Sequence, residues 1–316
     1  MTLQTAGIHH ITAFVGDAQR NVDFYAGILG LRLVKKTINF DAPEVYHLYF
    51  GNEQGAPGTI ITFFPSPVGR RGRIGSGQVG VTIYAVPVGA LQFWEQRLAE
   101  YGISVTKGSR ISEPYLAFAD YDGLRIELVE REEGPLSKWS FGGIPTKYAI
   151  KGFGGAVLYS SNPLQTTETL VHTLGMEQIA DGDGYTRYRT NGELGNIIDL
   201  KTSPVPLGAG GAGTVHHIAW RAKDDAEQLE WSRHVQSHGH RPTPVQDRQY
   251  FNAIYFRERG GILFEIATDP PGFARDEAPD ALGEKLMLPS WFEPHRAAIE
   301  ENLTPIQVRE IEVKQG

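Results

Sequence analysis

Two pairs of adjacent histidines and one glutamate are the residues of this chain best suited to bind a metal ion. His9 and His10 lie in the segment IHHITAFV, and His216 and His217 lie in VHHIAWRA. Glu265 interrupts the apolar run ILFEIA; such a carboxylate normally has a cationic partner, because burying an unpaired charge is costly. The chain has no cysteine, so a metal must be bound by imidazole and carboxylate, which favours iron, manganese, zinc or nickel.

These residues belong to a repeat that occurs four times. In each copy an apolar run places a glycine four residues before a polar residue, and the pairs are Gly58/Thr62, Gly123/Glu127, Gly195/Asp199 and Gly261/Glu265. Each run is the last strand of a unit that opens with a short apolar strand and continues through an amphipathic helix into three strands. The sequence therefore predicts four βαβββ modules.

Only the first and the fourth module open with histidines, which bears on how the modules pair. If these two pair, His10, His217 and Glu265 share one cavity, and Thr62, a weak ligand, takes the fourth place. If consecutive modules pair, each pair supplies one histidine and one carboxylate, too few for firm binding. The first pairing is chemically better. Two histidines and one carboxylate leave coordination positions open, as in non-haem Fe(II) oxygenases, although three protein ligands also suit catalytic zinc.

Strand geometry predicts different positions for the two members of each histidine pair. Side chains alternate between the two faces of a strand, so His9 and His216 are expected to face away from His10 and His217. There they either orient the ligands through hydrogen bonds or simply pack against a helix.

Two further carboxylates weaken any argument from Glu265 alone. Glu127 and Asp199 also interrupt apolar runs, and both could instead lie on exposed faces of edge strands. What distinguishes Glu265 is the histidine that opens its own module.

Composition limits the class of protein. The 316 residues suffice for two domains with their own cores, and 41% hydrophobic with 21% charged residues is typical of a folded globular chain. A net charge of −7 gives no general electrostatic reason to expect nucleic acid or anionic membrane as a partner. The N-terminus lacks the layout of a signal peptide and no apolar run is long enough to cross a bilayer, so we expect the cytoplasm.

Glycine- and proline-rich segments suggest where the domains end. We predict an N-terminal domain at 1–131, a linker at 132–150, a C-terminal domain at 151–271 and a tail at 272–316. The Lys35-Lys36 pair is predicted to be a solvated strand end.

Six segments spread over nearly the whole chain carry a resemblance to known proteins. They are IHHIT at 8–12, YHLYFGNEQGAPGTIITFFP at 46–65, GRIGSGQ at 72–78, VHHIAW at 215–220, DRQYFNAIYFRERGGILFEIATDPPGF at 247–273 and LGEKLMLPSWFEPHR at 282–296. Together they resemble the vicinal oxygen chelate superfamily, which includes glyoxalase I, extradiol dioxygenases and fosfomycin-resistance proteins. Within it, the chain looks most like the hydroquinone-type ring-cleaving dioxygenases.

The resemblance implies a fold, a metal and a reaction. The fold is α+β, with four βαβββ modules forming two vicinal-oxygen-chelate domains that have cup-shaped mixed sheets. The reaction is cleavage of a small hydroquinone-type aromatic by O2 at Fe(II) bound by His10, His217 and Glu265, with Mn(II) and Zn(II) as alternatives. The implied surrounding catalytic residues are His9, Thr12, His216, Arg248 and Tyr255. Without the resemblance, Arg248 reads as a solvated loop charge and Tyr255 as a packed strand aromatic.

Two other functions compete with this interpretation. A glyoxalase-type metal-dependent isomerase or lyase usually needs a second carboxylate where this chain has Thr62. A binding or resistance protein would hold a small aromatic without turnover, and the intact set of ligands argues against it. The sequence leaves the ring substrate and a homo-oligomeric state open.

Overall fold

The computed structural model describes residues 3–66 and 69–313, and it contains four βαβββ modules in chain order. The first comprises β1 (Ile8–Val15), α1 (Ala18–Val22) with a π-helical continuation (Asp23–Ile28), β2 (Arg32–Asn39), β3 (Ala42–Gly51) and β4 (Ile60–Pro65). The second comprises β5 (Gln78–Val86), α2 (Leu91–Glu100), β6 (Thr106–Arg110), β7 (Glu113–Ala119) and β8 (Arg125–Glu130).

The second half of the chain repeats this order. The third module comprises β9 (Gly152–Tyr159), α3 (Pro163–Glu168) with a π-helical continuation (Thr169–Thr173), β10 (Glu177–Gly182), β11 (Tyr185–Arg189) and β12 (Ile197–Lys201). The fourth comprises β13 (Thr214–Ala222), α4 (Asp225–Ser237), β14 (Gln246–Asp247), β15 (Phe251–Arg257) and β16 (Leu263–Pro271). The predicted α+β class with four such modules is confirmed.

The modules combine into two eight-stranded mixed sheets. The first sheet has the order β14-β15-β16-β13-β1-β4-β3-β2 and joins the first module to the fourth. The second sheet has the order β10-β11-β12-β9-β5-β8-β7-β6 and joins the second module to the third. The pairing predicted from the histidines is therefore confirmed. Each sheet contains strands from both sides of residues 132–150, while the division into consecutive domains stays a prediction.

Both sheets curl into cups whose opposite edges approach each other. In the second sheet the Ile111 amide, at the β6–β7 turn, donates to Asp183 Oδ2 of the β10–β11 turn over 2.7 Å. In the first sheet Arg248 Nη1, just after β14, lies 3.1 Å from Asp41 Oδ2 of the β2–β3 turn. The helices cover the outer faces. Ile11 of β1 belongs to the same buried hydrophobic cluster as helix residues such as Trp94 and Trp231.

The segment after β16 packs along the first module. It contains 3₁₀ turns at Phe273–Arg275 and Glu293–His295 and the short helix α5 (Arg296–Asn302). Lys35 is completely buried beneath it, with Nζ 2.6 Å from Asp276 Oδ1 and 2.5 Å from Glu277 Oε2. The prediction that Lys35 is solvated is therefore wrong, because acidic residues about 240 positions later in the chain enclose it. Within residues 3–66 and 69–313, no helix is long and apolar enough to cross a membrane.

A substitution at Gly155 can test how closely β9 and β12 of the second sheet must pack. Its φ is +153°, and an added Cβ would lie 2.1 Å from the carbonyl oxygen of Ile197 on β12. We expect Gly155→Ala to lower the free energy of unfolding by at least about 2 kcal/mol more than Gly89→Ala. Gly89 also has a positive φ of +84° but has nothing within 4 Å of the added Cβ. Urea unfolding of both variants measures the difference; equal losses would contradict the tight approach.

Candidate metal centre

Three strands of the first sheet bring two imidazoles and a carboxylate together. Antiparallel pairing of β1 with β13 places His10 near His217, and parallel pairing of β13 with β16 puts Glu265 opposite Ala219. The Nε2 atoms of His10 and His217 are 3.2 Å apart. Glu265 Oε2 lies 3.4 Å from His10 Nε2 and 2.8 Å from His217 Nε2. All three side chains are buried, and their donor atoms lie within 4.8 Å of one another.

The chemistry of these donors fits a divalent metal ion. Glu265 has no exposed surface, and in the described part of the chain neither carboxylate oxygen has a hydrogen-bond partner. The two histidine nitrogens approach Oε2 closely but without hydrogen-bond geometry. A buried carboxylate needs a cation, and one metal ion would satisfy the carboxylate and both nitrogens at once.

The protonation states expected at this site also suit metal binding. Burial raises the pKa of Glu265, but the adjacent His10 and His217 outweigh that effect and hold the pKa below its usual range. Burial lowers the pKa of His217, although the nearby Glu265 opposes the shift. An ionised carboxylate and a neutral imidazole are the forms in which these side chains bind metals.

The second histidine of each pair contacts the first. His9 Nδ1 lies 2.9 Å from His10 Nδ1, and His216 Nδ1 lies 2.8 Å from His217 Nδ1. The expectation that the members of a pair face opposite sides is wrong. The β1–β13 register skips His9 on one strand and His216 on the other, so a β-bulge interrupts the alternation at each pair. Each bulge turns a second imidazole towards the back of a ligand, where it can fix the ring and its tautomer.

Arg248 and Tyr255 lie beside the ligands and contact each other. Tyr255 on β15 is the register partner of Glu265. Arg248 Nε donates to Tyr255 Oη over 3.2 Å. Burial raises the pKa of Tyr255, Glu265 raises it further and Arg248 opposes both, so the phenol stays protonated. Neither residue is the plain loop charge or packed aromatic that its position in the sequence suggests.

Thr12 lies near the ligands but does not line the cavity. Its hydroxyl is 2.8 Å from that of Thr62, and both residues are completely buried. Thr62 pairs with Thr12 across β1 and β4 in the way that Glu265 pairs with Ala219 across β13 and β16. A hydroxyl therefore stands where a fourth metal ligand would lie.

A cavity of about 470 Å³ opens beside the ligands. His10, His216, His217, Arg248 and Tyr255 line it. The remaining lining residues are a mixture of aromatic, polar and aliphatic side chains: Phe14, Asn39, Phe40, Asp41, His47, Tyr49, Phe64, Thr243, Gln246, Phe251 and Leu263.

His47 and Tyr49 are two of the cavity residues that sequence reasoning missed. Both lie on β3 within the quoted segment YHLYF, two positions apart and therefore on one face of the strand. The intervening residues Tyr46, Leu48 and Phe50 are buried in the core. The period-two alternation in this strand could therefore have indicated that His47 and Tyr49 face the cavity.

The second sheet satisfies its equivalent carboxylates with arginines. Arg110 Nη1 lies 2.9 Å from Glu127 Oε2 and 3.3 Å from Asp199 Oδ2. Arg187 Nε donates to Asp199 Oδ1 over 2.7 Å. Both carboxylates are buried, so the alternative that they lie on exposed faces is wrong. The guanidinium groups supply positive charge to these two carboxylates, whereas the groups beside Glu265 are the imidazoles of His10 and His217.

The same register explains why the second cup cannot bind metal through histidines. Glu127 is opposite Ile83 and Asp199 is opposite Val157. Counting back two positions, as from Ala219 to His217, leads to Val81 and Gly155. Neither residue can bind a metal through its side chain.

The fold and the site define a class of protein that comparison with known sequences identifies. The chain belongs to the glyoxalase/bleomycin resistance protein/dioxygenase superfamily, whose family model matches residues 7–128 and 153–266. Among its relatives is MhqO of Bacillus subtilis (strain 168), provisionally named a ring-cleaving dioxygenase. MhqO is 59% identical over 99% of this chain and 100% of its own length.

Two further comparisons bear on the function and on the fold. The chlorohydroquinone/hydroquinone 1,2-dioxygenase of Sphingobium indicum is 34% identical over 89% of this chain and 91% of its own length. A crystal structure of a provisionally assigned dioxygenase from Bacillus subtilis matches with a TM-score of 0.97 at 59% identity, covering 98% of this chain and all of that one. The predicted resemblance to the superfamily is confirmed.

Removal of the negative charge at Glu265 should abolish metal binding. We expect Glu265→Gln to weaken binding of Fe(II) or Zn(II) by more than the roughly 10–100-fold typical of losing a partner outside the ligands themselves. Metal analysis after equilibrium dialysis measures the loss. Added metal should also raise the melting temperature of the unmodified protein but not of the variant, because only the former binds metal in its folded state.

Glu127→Gln is the matched control, because it changes the equivalent carboxylate of the second sheet. This variant should bind metal like the unmodified protein. Stoichiometric metal in Glu265→Gln would remove Glu265 from the set of ligands.

Proposed function

We propose that this protein is an Fe(II)-dependent ring-cleaving dioxygenase that acts on a hydroquinone-type aromatic with O2. The observation that carries the proposal is a buried set of two histidines and one carboxylate bordering an aromatic-rich cavity of about 470 Å³. The 34% sequence identity to a chlorohydroquinone/hydroquinone 1,2-dioxygenase over 89% of this chain supports the choice of substrate. A cytoplasmic location belongs to the same proposal.

The donor set supports iron as the metal. Two imidazoles and one carboxylate, without thiolates, match the ligands of non-haem Fe(II) oxygenases and leave positions open for other molecules. Bound at His10, His217 and Glu265, the metal would supply Lewis acidity and a common binding site for the aromatic hydroxyl and O2. Mn(II) and Zn(II) remain the alternatives that activity measurements must separate.

The size and the walls of the cavity support a small aromatic substrate. The volume is near the lower end of the range for ligand pockets, which suits a single substituted ring. Phe14 and Phe64 lie on one side with centroids 6.0 Å apart, and Phe14 is 5.0 Å from His216. Phe251 packs 4.9 Å from the His10 ring. These rings exclude water from the ligands and offer flat surfaces against which an aromatic ring can stack.

Three side chains can position the oxygens of the substrate. Arg248 supplies a fixed positive charge, and Tyr255, which stays protonated, supplies a hydroxyl donor. His216 already uses Nδ1 against His217, so its Nε2 is the atom left to hydrogen-bond a substrate hydroxyl. Burial, followed by the neighbouring His217, lowers the pKa of His216, which keeps the ring neutral. A neutral His217 with Nε2 on the metal would donate Nδ1–H to His216 Nδ1, so His216 Nε2 would carry a hydrogen and donate it to a substrate oxygen.

Thr62 favours ring cleavage over glyoxalase-type isomerisation. An isomerase would use a second carboxylate at the place opposite Glu265 in the first sheet. There the chain has a threonine whose hydroxyl contacts Thr12 and His47. Within residues 3–66 and 69–313, Glu265 is therefore the only carboxylate grouped with His10 and His217.

Oxygen consumption tests the proposed reaction. Protein reconstituted anaerobically with Fe(II) should consume one O2 per molecule of hydroquinone or methylhydroquinone and give a new ring-opened chromophore. Catechol is offered in parallel, and the relative rates of O2 consumption rank hydroquinones against catechol as substrates. The same protein loaded with Zn(II) should consume none, because zinc has no redox chemistry.

Single substitutions connect this activity to the site. His217→Ala should lose both retained iron and O2 consumption by more than about 100-fold, since two protein ligands do not hold the metal. His172→Ala, which changes an exposed histidine of the third module, should leave both unchanged. Iron-loaded protein that consumes no O2 with any of the three compounds would rule out the hydroquinone assignment.

A further inference from the structure

Four side chains of the first sheet form a hydrogen-bonded chain beside the metal centre. Tyr49 Oη lies 2.8 Å from His47 Nδ1, and His47 Nε2 lies 2.8 Å from Thr62 Oγ1. Thr62 Oγ1 in turn lies 2.8 Å from Thr12 Oγ1. The residues come from three neighbouring strands, β3, β4 and β1. Within residues 3–66 and 69–313 these side chains have no other hydrogen-bond partners.

The number of hydrogens in this chain exceeds the number of bonds by one. A phenol, a neutral imidazole and two threonine hydroxyls each carry one hydrogen that can be donated. The three contacts use three of these hydrogens, whichever way each bond points. One hydrogen is therefore left without an acceptor, on Tyr49 or on one of the two threonines.

The shape of the cavity decides which of these hydroxyls can meet a bound molecule. Tyr49 and His47 line the cavity, whereas Thr12 and Thr62 do not and are completely buried. If the threonine hydroxyls donate towards His47 Nε2, then His47 Nδ1–H donates to Tyr49 Oη. The free hydrogen is then the hydroxyl hydrogen of Tyr49, at the wall of the cavity. Bonds that all point the same way also polarise one another and strengthen the last donor.

We propose that Tyr49 donates a hydrogen bond to an ionised aromatic hydroxyl in the cavity and that His47 and Thr62 are positioning residues that hold this donor in place. The proposal rests on the proposed function, since it names the substrate group that the free hydrogen recognises. An anionic oxygen is the acceptor that gains most from such a donor. Tyr49 itself stays protonated, because burial, with contributions from Tyr255 and Glu265, raises its pKa well above the usual value.

Binding of 4-nitrophenol to the Zn(II)-loaded protein tests the proposal without turnover. The ionised form of this probe is coloured, so a pH titration at saturating probe gives the ionisation constant of the bound hydroxyl. Loss of a hydrogen bond to a charged oxygen should lower that constant by about tenfold in Tyr49→Phe. Thr62→Val acts through His47 and should also lower the ionisation constant of the bound probe, by a smaller factor.

Two matched variants control for the loss of a hydroxyl. Tyr46→Phe removes a phenol from the same strand at a position of opposite parity, where the side chain packs in the core. Thr37→Val removes a buried hydroxyl that has no hydrogen-bond partner in the described part of the chain, at the position opposite His47 on β2. Both should match the unmodified protein. If Tyr49→Phe and Thr62→Val also match it, the proposal is overturned while O2 consumption can still establish the ring-cleaving function.

The unmodified protein gives two further outcomes. Failure of the Zn(II)-loaded protein to bind the probe would count against the aromatic site itself, and with it against both proposals. If it binds, long-range ¹H–¹⁵N spectra report the tautomer of His47, assigned by the signal lost in His47→Gln. A hydrogen on Nδ1 in the complex supports the direction inferred here; a hydrogen on Nε2 overturns it.

Discussion

The site depends on one buried carboxylate, Glu265, that has no arginine or lysine partner within residues 3–66 and 69–313. Glu265 is completely enclosed, and the nearest basic atoms are the nitrogens of two imidazoles. Ionised and unpaired, such a group would cost several kcal/mol. A metal ion bound by the carboxylate, His10 and His217 would satisfy all three groups at once. The three strands that meet at the centre of the first sheet hold these donors in place.

The two sheets meet the same constraint in different ways. Both are built from two βαβββ modules, and both bury carboxylates on the last strand of a module. In the second sheet Arg110 and Arg187 compensate Glu127 and Asp199 and occupy the inside of the cup. In the first sheet no arginine reaches Glu265 among the residues that the structure describes, and a cavity remains. One fold thus provides a closed structural half and an open half suited to chemistry.

The bulges at the histidine pairs show how a small irregularity serves the site. In a regular strand the second histidine of each pair would face the helices. The extra residue on β1 and on β13 instead lets His9 and His216 contact the rings of His10 and His217. The second sheet has register shifts at the equivalent places, where Gly80 and Gly154 take the positions of these histidines. The register shifts therefore occur in both sheets, but only in the first sheet do they place a second imidazole against each of His10 and His217.

The modules, the cluster of His10, His217 and Glu265 and the pairing of the first module with the fourth were predictable from sequence. Strand and helix periodicity are local properties, and histidine or glutamate within an apolar strand is unusual enough to stand out. The positions of His9, His47, Tyr49 and Lys35 were decided only by the tertiary structure. A bulge breaks the periodicity on which such predictions rest. Contacts such as that between Lys35 and Asp276 join residues far apart in the chain, which no local pattern encodes.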